Sequence, residues 1–349
     1  MMRPPAPETP QDPMTNGTEP SRIAAAIRSR QRFVLSSHAR PDGDAIGSQL
    51  AMAYALRAMG KDVRLINADA APPPLRTFPG VEDIEIAGTV EGDFDAAIIM
   101  ECGDLARTGV SGFERFFVIN IDHHQGNSEY GQLNWFEPTA AACGEMVFDL
   151  VGALGVPFSR EIATHVYLAI LTDTGSFHYS SISPRTFDIC RQAIEAGVDP
   201  VHVARSVYDS NNMGRLKLFG AVLSGMEIDE TGRIAIVHLN PRMAREAGGT
   251  YEDTDGLINL PLTVKEIQAV IFFKETDRHE YRVSMRSKGA IDIAAVAREY
   301  GGGGHKNAAG CNGTGSLEDL RRDFVQRVQQ AVELQDGGTA ELREGSNAP

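Results

Sequence analysis

The sequence feature that most constrains the fold is a short apolar run, residues 116–121, which ends in the triplet Asp122-His123-His124. An apolar run of this length is typical of a strand buried inside a sheet. Such a strand delivers one carboxylate and two imidazoles to the carboxyl edge of the sheet, where open α/β sheets bind their ligands. The triplet alone is a weak sign of a metal site, because adjacent histidines after a strand often belong to an ordinary polar loop.

Two further apolar runs, residues 32–37 and 95–100, end in the same way. The polar groups after them are His38, Asp42 and Asp44 in the first case and Glu101 and Asp104 in the second. Core packing does not explain why three buried strands should each carry imidazole or carboxylate groups to one edge of a sheet. The three strand ends together therefore predict a functional site there.

Strands and helices alternate over residues 32–175, and this alternation predicts an α/β domain with a parallel sheet. The other expected elements are a strand at 62–66 and helices at 45–59, 140–154 and 160–171. The last of these helices leads into Asp173, a further carboxylate placed where a helix gives way to a loop. A smaller α/β domain is expected to follow, with strands at 233–239, 266–276 and 281–287 and a final helix at 317–334.

We predict the following boundaries: a disordered leader at 1–20, a catalytic metal-binding domain at 21–182, a helical linker at 183–215, a substrate-binding domain at 216–335 and a flexible tail at 336–349.

Composition excludes several classes of protein. No apolar run approaches the roughly 20 residues needed to cross a bilayer, so we expect no membrane partner and a cytoplasmic location. The four cysteines form no C-x-x-C pair, which argues against a disulfide framework or a structural zinc site. A formal net charge of −14 argues against binding of long duplex nucleic acid, but it leaves short nucleotides open.

The strand ends combine imidazole with an excess of carboxylate oxygen, a ligand set that suits manganese or a similar divalent ion. A single ion would not need all of these ligands. Two ions about 4 Å apart, bridged by one carboxylate, would use them all and would activate water for attack on phosphorus. The alternative for His38 and Asp42 is a capped turn in which Asp44 stabilises the start of the following helix.

These motifs resemble those of the DHH phosphoesterases, named for the triplet at Asp122-His123-His124. The resemblance includes the spacing of His38, Asp42 and Asp44, the acidic residue at 101, and residues 172–175 around Asp173. A C-terminal glycine run with His305 and Asn307 looks like the DHH-associated substrate domain. The resemblance covers residues 20–335, and it is strongest to the nanoRNase (oligoribonuclease) and pAp-phosphatase branch.

The resemblance implies a ligand set for two Mn²⁺ ions, with Mg²⁺ or Co²⁺ as alternatives. One ion would be held by His38 and Asp42, the other by Asp44, His123 and Asp173, with Glu101 as the bridge. Family members commonly have Asp at the bridging position, so this chain departs from the pattern, and Asp104 is the fallback ligand.

Further roles follow from the same resemblance. Asp122 would orient an imidazole, and His124 would face the scissile phosphate or the leaving oxygen. The substrate would be bound by Arg286, Ser287, Gly302, Gly303, Gly304, His305 and Asn307, in a cleft between the two domains. The region 281–310 has five basic residues against two acidic ones, which favours an anion site. For His165, inside an apolar helix, we expect a structural role.

The implied activity is hydrolysis of short RNA or DNA oligonucleotides or small nucleotides, above all dinucleotides, to 5′-mononucleotides, with adenosine 3′,5′-bisphosphate (pAp) as a further substrate. The main alternative is a cyclic-di-AMP phosphodiesterase. A RecJ-like exonuclease, an inorganic pyrophosphatase and a weakly catalytic nucleotide-binding regulator rank lower, and Glu101 is the feature that favours the last. A homodimer is compatible with the sequence.

Overall fold

The computed structural model describes residues 18–178, 181–209, 212–251, 254 and 256–344, with side chains omitted at 305 and 335–344. The chain divides into two compact units, Met1–Ser210 and Asn211–Pro349. Most of the predicted leader lies outside the described residues. A helix begins at Glu19, within the last two residues assigned to that leader.

The first unit is built on a parallel sheet of six strands in the order β3-β2-β1-β4-β5-β6. Its strands are β1 (Arg32–Ser36), β2 (Asp62–Asn67), β3 (Ile84–Ile86), β4 (Ala96–Met100), β5 (Phe117–Asp122) and β6 (Leu133–Phe136). Its helices are α1 (Glu19–Arg28), α2 (Gly43–Ala58), α3 (Cys143–Leu154), α4 (Arg160–Asp173), α5 (Pro184–Glu195) and α6 (Pro200–Tyr208). The predicted parallel α/β class is confirmed.

The strand order positions the candidate site. The chain first builds outward from β1 to β3 and then returns to the other side of β1 with β4, so the order reverses between β1 and β4. Open parallel sheets bind ligands at the carboxyl ends of the strands beside such a reversal. The strands whose ends carry the predicted residues, β1, β4 and β5, are adjacent at this point.

Helices α5 and α6 belong to the first unit, although the sequence predicted a linker over residues 183–215. Their apolar residues Ile189, Ala193 and Val203 are buried in the same core as strands β1 and β4. Pro184 and Pro200 stand in the first turns of these helices, where a missing N–H costs no hydrogen bond. Since these helices bury an apolar face, they are part of the domain.

The second unit is a mixed sheet in the order β11-β12-β10-β9-β8-β7, in which only the β8–β9 pair is parallel. Its strands are β7 (Glu227–Ile228), β8 (Ile234–Leu239), β9 (Ala269–Asp277), β10 (Glu280–Ser287), β11 (Gly303–His305) and β12 (Ala308–Thr314). Its helices are α7 (Met213–Ser224), α8 (Pro241–Ala247), α9 (Ile293–Glu299) and α10 (Leu317–Glu344).

The final helix differs from its predicted extent. Helix α10 runs to Glu344, whereas the sequence analysis ended it at Leu334 and assigned a flexible tail from residue 336. Its buried face packs Phe324 edge-on against Phe273 of β9, with ring centres 5.7 Å apart. Among the described residues, no helix is both long enough and apolar enough to cross a membrane.

Candidate metal centre

His123, at the end of β5, is the centre of a cluster of acidic groups. Its Nδ1 lies 3.0 Å from the carbonyl oxygen of Ala140, so this nitrogen carries the proton and donates it. Its Nε2 faces three carboxylates, at 3.0 Å from Glu101 Oε1, 3.5 Å from Asp173 Oδ2 and 3.8 Å from Asp44 Oδ2. Strand β5 and the ends of β4 and α4 therefore converge on one nitrogen.

Two overlapping sets of side chains have the spacing needed to hold a metal ion. Glu101, His123 and His124 form one set, and Asp44, His123 and Asp173 form the other, with ligand atoms within 4.8 Å of one another in each. Carboxylate oxygen with imidazole nitrogen is the mixture that suits Mn²⁺ and similar divalent ions. The structure brings Glu101 after β4, His123 after β5, Asp44 of α2 and Asp173 of α4 together at one place.

Asp44 is held rigidly at the base of this cluster. It is fully buried, and its Oδ1 accepts hydrogen bonds from Ser48 Oγ at 2.7 Å and from the backbone N–H of Gly144 at 3.1 Å. Its Oδ2 accepts from the backbone N–H of Cys143 at 2.6 Å. Cys143 and Gly144 begin helix α3, whose positive end favours a carboxylate at this place. Three hydrogen bonds and the start of α3 therefore fix the carboxylate of Asp44 in place.

Glu101 is the least satisfied group of the cluster. Its side chain is 1% exposed, and neither carboxylate oxygen meets the geometry of a hydrogen bond with a described group, although Oε1 lies 3.0 Å from His123 Nε2. Burial and the neighbouring Asp44 raise the pKa of Glu101 well above its usual value. A buried carboxylate costs several kcal/mol unless positive charge compensates it. A divalent ion would supply that charge, so these residues fit a metal.

The backbone at Glu101 points to function as well. Its φ of +57° lies in the left-handed region, which residues other than glycine, asparagine and aspartate rarely adopt. Such conformations cost about 1–3 kcal/mol and concentrate at active sites. With this backbone conformation, the carboxylate of Glu101 lies beside His123, with Oε1 3.0 Å from Nε2.

Asp104, the predicted fallback ligand, is engaged in local structure. Its carboxylate caps a short 3₁₀ turn by accepting the backbone N–H of Ala106 at 2.8 Å, and it is exposed. It belongs to neither ligand set found among the described residues. The geometry therefore favours Glu101 over the fallback ligand.

His38 and Asp42 form a pair beside the cluster. His38 Nε2 lies 3.8 Å from Asp42 Oδ1, which also accepts the N–H of Ala45 and so caps helix α2. The capped-turn alternative is thus realised, but by Asp42, whereas Asp44 turns inward. Neither His38 nor Asp42 belongs to a ligand set in the part of the chain that is described. Asp42 nevertheless raises the pKa of Glu101, so it lies within electrostatic reach of the cluster.

Asp122 orients His124. Its Oδ1 lies 2.9 Å from His124 Nδ1 and also accepts the backbone N–H of His124 at 3.2 Å. Burial opposes the ionised form of Asp122, but the hydrogen bonds from His124 and Asn127 outweigh it and lower the pKa of Asp122. His124 therefore holds its proton on Nδ1. The contact joins Asp122 to the imidazole of His124, and the orienting role of Asp122 stays a prediction.

Protons offset part of the negative charge of the cluster. Burial disfavours an imidazolium at His123, yet Glu101, 3.0 Å away, outweighs burial and raises the pKa of His123 to about 11. Burial and the charge of Asp44 raise the pKa of Asp173 to about 7. A bound cation would displace these protons.

His165 has the structural role expected for it. Its Nδ1 lies 2.7 Å from the carbonyl oxygen of Glu161, and its ring stacks on Tyr54 with centres 5.4 Å apart. Burial lowers its pKa. It is absent from both ligand sets among the described residues.

The predicted substrate residues of the second unit divide into two kinds. Ser287 and Asn307 are engaged in local structure, because Asn307 Nδ2 donates to Ser287 Oγ at 2.9 Å and Ser287 Oγ donates to the carbonyl of Ile291. Arg286 is partly buried, and its Nη1 donates to the carbonyl of Met285 at 3.0 Å. The side chain of His305 lies outside the described residues.

The glycine run has a structural cause at two of its predicted positions. A Cβ at Gly302 would lie 2.2 Å from the carbonyl oxygen of Gly310, and one at Gly304, whose φ is +141°, would lie 2.3 Å from that of Ala308. Gly303 differs, because a Cβ there would meet nothing within 4 Å. Among the three predicted glycines, Gly303 is therefore the one at which packing does not require a missing Cβ.

Two groups that hold site residues in place, the start of α3 and Asn127, were not predicted from the sequence. The N-terminus of α3 is 99 residues from Asp44 in the chain, and no local pattern indicates that contact. Asn127 donates to Asp122 Oδ2 at 2.6 Å. The only signal for Asn127 was its position three residues after the triplet, in a segment that reads as a loop.

A parallel α/β sheet that gathers carboxylates and imidazoles at its strand reversal defines a metal-binding protein of the phosphoester-hydrolase type. Residues 32–170 match the "DHH family, N-terminal domain", and residues 234–334 match the "DHHA1 domain". The bifunctional oligoribonuclease and PAP phosphatase NrnA of Thermus thermophilus is 33% identical over 300 residues, which cover 85% of this chain and 88% of the relative. The chain belongs to the DHH family, as its motifs predicted.

Other similar proteins agree with this membership. The bifunctional oligoribonuclease and PAP phosphatase NrnA of Bacillus subtilis is 26% identical over 287 residues, which cover 80% of this chain and 88% of the relative. The crystal structure of an exopolyphosphatase-related protein from Bacteroides fragilis matches with a TM-score of 0.84 and 27% identity, covering 90% of this chain and 97% of that one. Both comparisons extend through the two units.

Proposed function

We propose that this chain is a manganese-dependent phosphoesterase that hydrolyses dinucleotides and other short oligoribonucleotides to 5′-mononucleotides, and that pAp is a second substrate. The observation that carries the proposal is the convergence of Glu101, Asp44 and Asp173 on His123 Nε2. The relatives named as oligoribonuclease and PAP phosphatase, which align over most of the chain, supply the substrate class.

We assign Glu101 to the bridging position between two ions, because it is a member of one ligand set and shares His123 with the other. Bound divalent ions supply a water of lowered pKa and offset the charge that develops on the phosphorus oxygens. Asp44, fixed by the start of α3, contributes a carboxylate that needs no reorganisation. Asp173 completes the second set from the end of α4.

His124 is suited to act on the leaving oxygen. Its Nδ1 is held by Asp122, which leaves Nε2 as the nitrogen for a substrate, and the side chain is 17% exposed. An imidazole oriented in this way accepts a proton at Nε2 in its neutral form, and its imidazolium form donates that proton from Nε2 to the leaving oxygen. Asp122 touches no substrate in this scheme and acts through His124.

In the second unit, Gly303 and Arg286 are the proposed phosphate contacts. Gly303 leaves its backbone approachable, and the guanidinium of Arg286 presents donors that match phosphate oxygens. Ser287 and Asn307 would act indirectly, by holding the loop between β10 and α9 against β12.

Substrate length tests the proposal. Hydrolysis of a dinucleotide, a pentanucleotide, a long single strand, pAp and cyclic di-AMP is compared under Mn²⁺, with release of 5′-mononucleotide as the readout. The dinucleotide should have the highest kcat/KM and the long strand the lowest, because a chain of net charge −14 repels an extended polyanion. A preference for the long strand, fast opening of the cyclic dinucleotide with slow cleavage of its linear product, or hydrolysis of pyrophosphate alone would refute it.

A further inference from the structure

Asn127 lies in the turn after the triplet, and three hydrogen bonds fix its side chain. Its Oδ1 accepts the backbone N–H of Glu129 at 2.7 Å. Its Nδ2 donates to Asn120 Oδ1 at 2.8 Å and to Asp122 Oδ2 at 2.6 Å. Because a backbone N–H can only donate, Oδ1 must face Glu129, and the orientation of the amide is settled by its partners.

Both acceptors of this amide lead to the metal centre. On one side, Asp122 holds His124 Nδ1 through its other oxygen at 2.9 Å. On the other side, Asn120 Nδ2 donates to the carbonyl of Cys102 at 3.1 Å, and Cys102 directly follows Glu101. One amide thus joins the support of His124 to the backbone beside Glu101.

We propose that Asn127 is a positioning residue that fixes His124 relative to Glu101. The inference rests on the proposed function, in which His124 acts on the leaving oxygen. Without the amide, the buried Asp122 Oδ2 loses its donor at 2.6 Å, and the carboxylate keeps the bonds that Oδ1 makes with the ring and the backbone N–H of His124. The orientation of the carboxylate is then less restricted, and so is the hydrogen bond that selects the tautomer of His124. Groups that support metal-site histidines in this way affect activity by about 10–100-fold.

Asn127→Asp is the sharpest variant, because it is nearly isosteric. It keeps the oxygen that accepts from Glu129 N–H, and it replaces the donor facing Asp122 with a second carboxylate oxygen. Asn134→Asp is the matched control, since Asn134 Oδ1 also accepts a backbone N–H, that of Gly131, and its Nδ2 donates to the carbonyl of Gly131. Asn134 lies opposite Asn120 in the β5–β6 pair, but its amide is bonded to Gly131 and not to Asp122. We expect kcat to fall about 10–100-fold in Asn127→Asp with KM within about threefold, and both constants within about threefold in the control.

A second readout is independent of catalysis. Nitrogen NMR of the metal-free full-length chain at pH 8.5 reports which ring nitrogen of His124 carries the proton. The wild type should show the Nδ1–H form alone, and Asn127→Asp should show a mixture with the Nε2–H form. Asn127→Ala, which introduces no charge, should give the same loss of kcat and the same mixture, and it serves if the aspartate variant does not fold.

The two readouts separate this inference from the proposed function. If the wild type hydrolyses no nucleotide, the proposed function fails, and the tautomer of His124 in the variants still decides the role of Asn127. A wild-type tautomer in both Asn127 variants would overturn the inference. So would an equal fall of kcat in Asn134→Asp, since the effect would then be structural.

Discussion

Asp173→Asn should stabilise the metal-free protein, although it removes a proposed metal ligand. Burial and the charge of Asp44 raise the pKa of Asp173 from 3.8 to about 7, because ionisation adds a negative charge beside Asp44 in a buried site and His123 offsets only part of that cost. The neutral amide avoids that cost. In the presence of Mn²⁺ the sign reverses, because the carboxylate then has a positive partner.

The size and pH range of the effect follow from the shift in pKa. Between pH 3.8 and about 7 the folded protein binds more protons at Asp173 than the unfolded chain, so the free energy of unfolding falls as pH rises through this range. The full shift corresponds to about 4 kcal/mol above pH 7. The side chain is 31% exposed, and solvent screening reduces the expected gain of Asp173→Asn to about 1–2 kcal/mol at pH 8.

Urea unfolding in excess chelator at pH 5 and pH 8 measures this gain. The gain in the free energy of unfolding should be larger at pH 8 than at pH 5. In a separate measurement, Mn²⁺ should raise the melting temperature of the wild type more than that of Asp173→Asn. Asp95→Asn is the control of opposite sign, since hydrogen bonds from the backbone N–H groups of Arg32 and Gln31 lower the pKa of Asp95. A variant less stable than the wild type at pH 8 in chelator would show that Asp173 is not under charge repulsion.

Three further predictions concern the ligands and the glycine run. Glu101→Asp should retain Mn²⁺-dependent hydrolysis, Glu101→Ala should abolish it, and Asp104→Ala should have nearly wild-type activity. Loss of activity in Asp104→Ala but not in Glu101→Ala would assign the bridging position to Asp104. Asp44→Ala should abolish hydrolysis and lower the free energy of unfolding by about 2 kcal/mol in a denaturant titration, because two buried N–H groups lose their acceptor. Gly302→Ala should lower the melting temperature, whereas Gly303→Ala should leave it unchanged and raise KM; equal melting temperatures would refute the packing argument.

The strand ends were predictable because the residues that build them are local in sequence. Each apolar run predicts a buried strand, and the polar residues directly after it lie at the carboxyl edge of the sheet. For this reason His38, Glu101 and His123 could be proposed as candidate site residues from the sequence. Strands β3 and β6 were not predicted. They have three and four residues and lie at the two edges of the sheet, where short segments carry too little pattern to detect.

The remaining features depend on tertiary contacts. The alternative in which Asp44 stabilises the start of its own helix is wrong, because Asp42 makes that cap and Asp44 turns toward the start of α3. The glycine run was predicted to bind substrate, but at Gly302 and Gly304 the missing Cβ is required by close packing against β12. Composition cannot separate these causes, because both require a missing Cβ.

The departure from the common family residue at position 101 has a physical consequence. The backbone there has a φ of +57°, a conformation that aspartate tolerates better than glutamate, so the common residue suits the backbone and this chain's residue does not. The longer side chain nevertheless brings Oε1 to 3.0 Å and Oε2 to 3.4 Å from nitrogens of His123 and His124. Glu101 thus contacts both histidines of the triplet, at the cost of backbone strain. Because the carboxylate of Glu101 contacts both rings, the position of His124 limits the positions that Glu101 can take. The Asn127 amide, which is bonded to Asp122 and Asn120, therefore supports both His124 and Glu101.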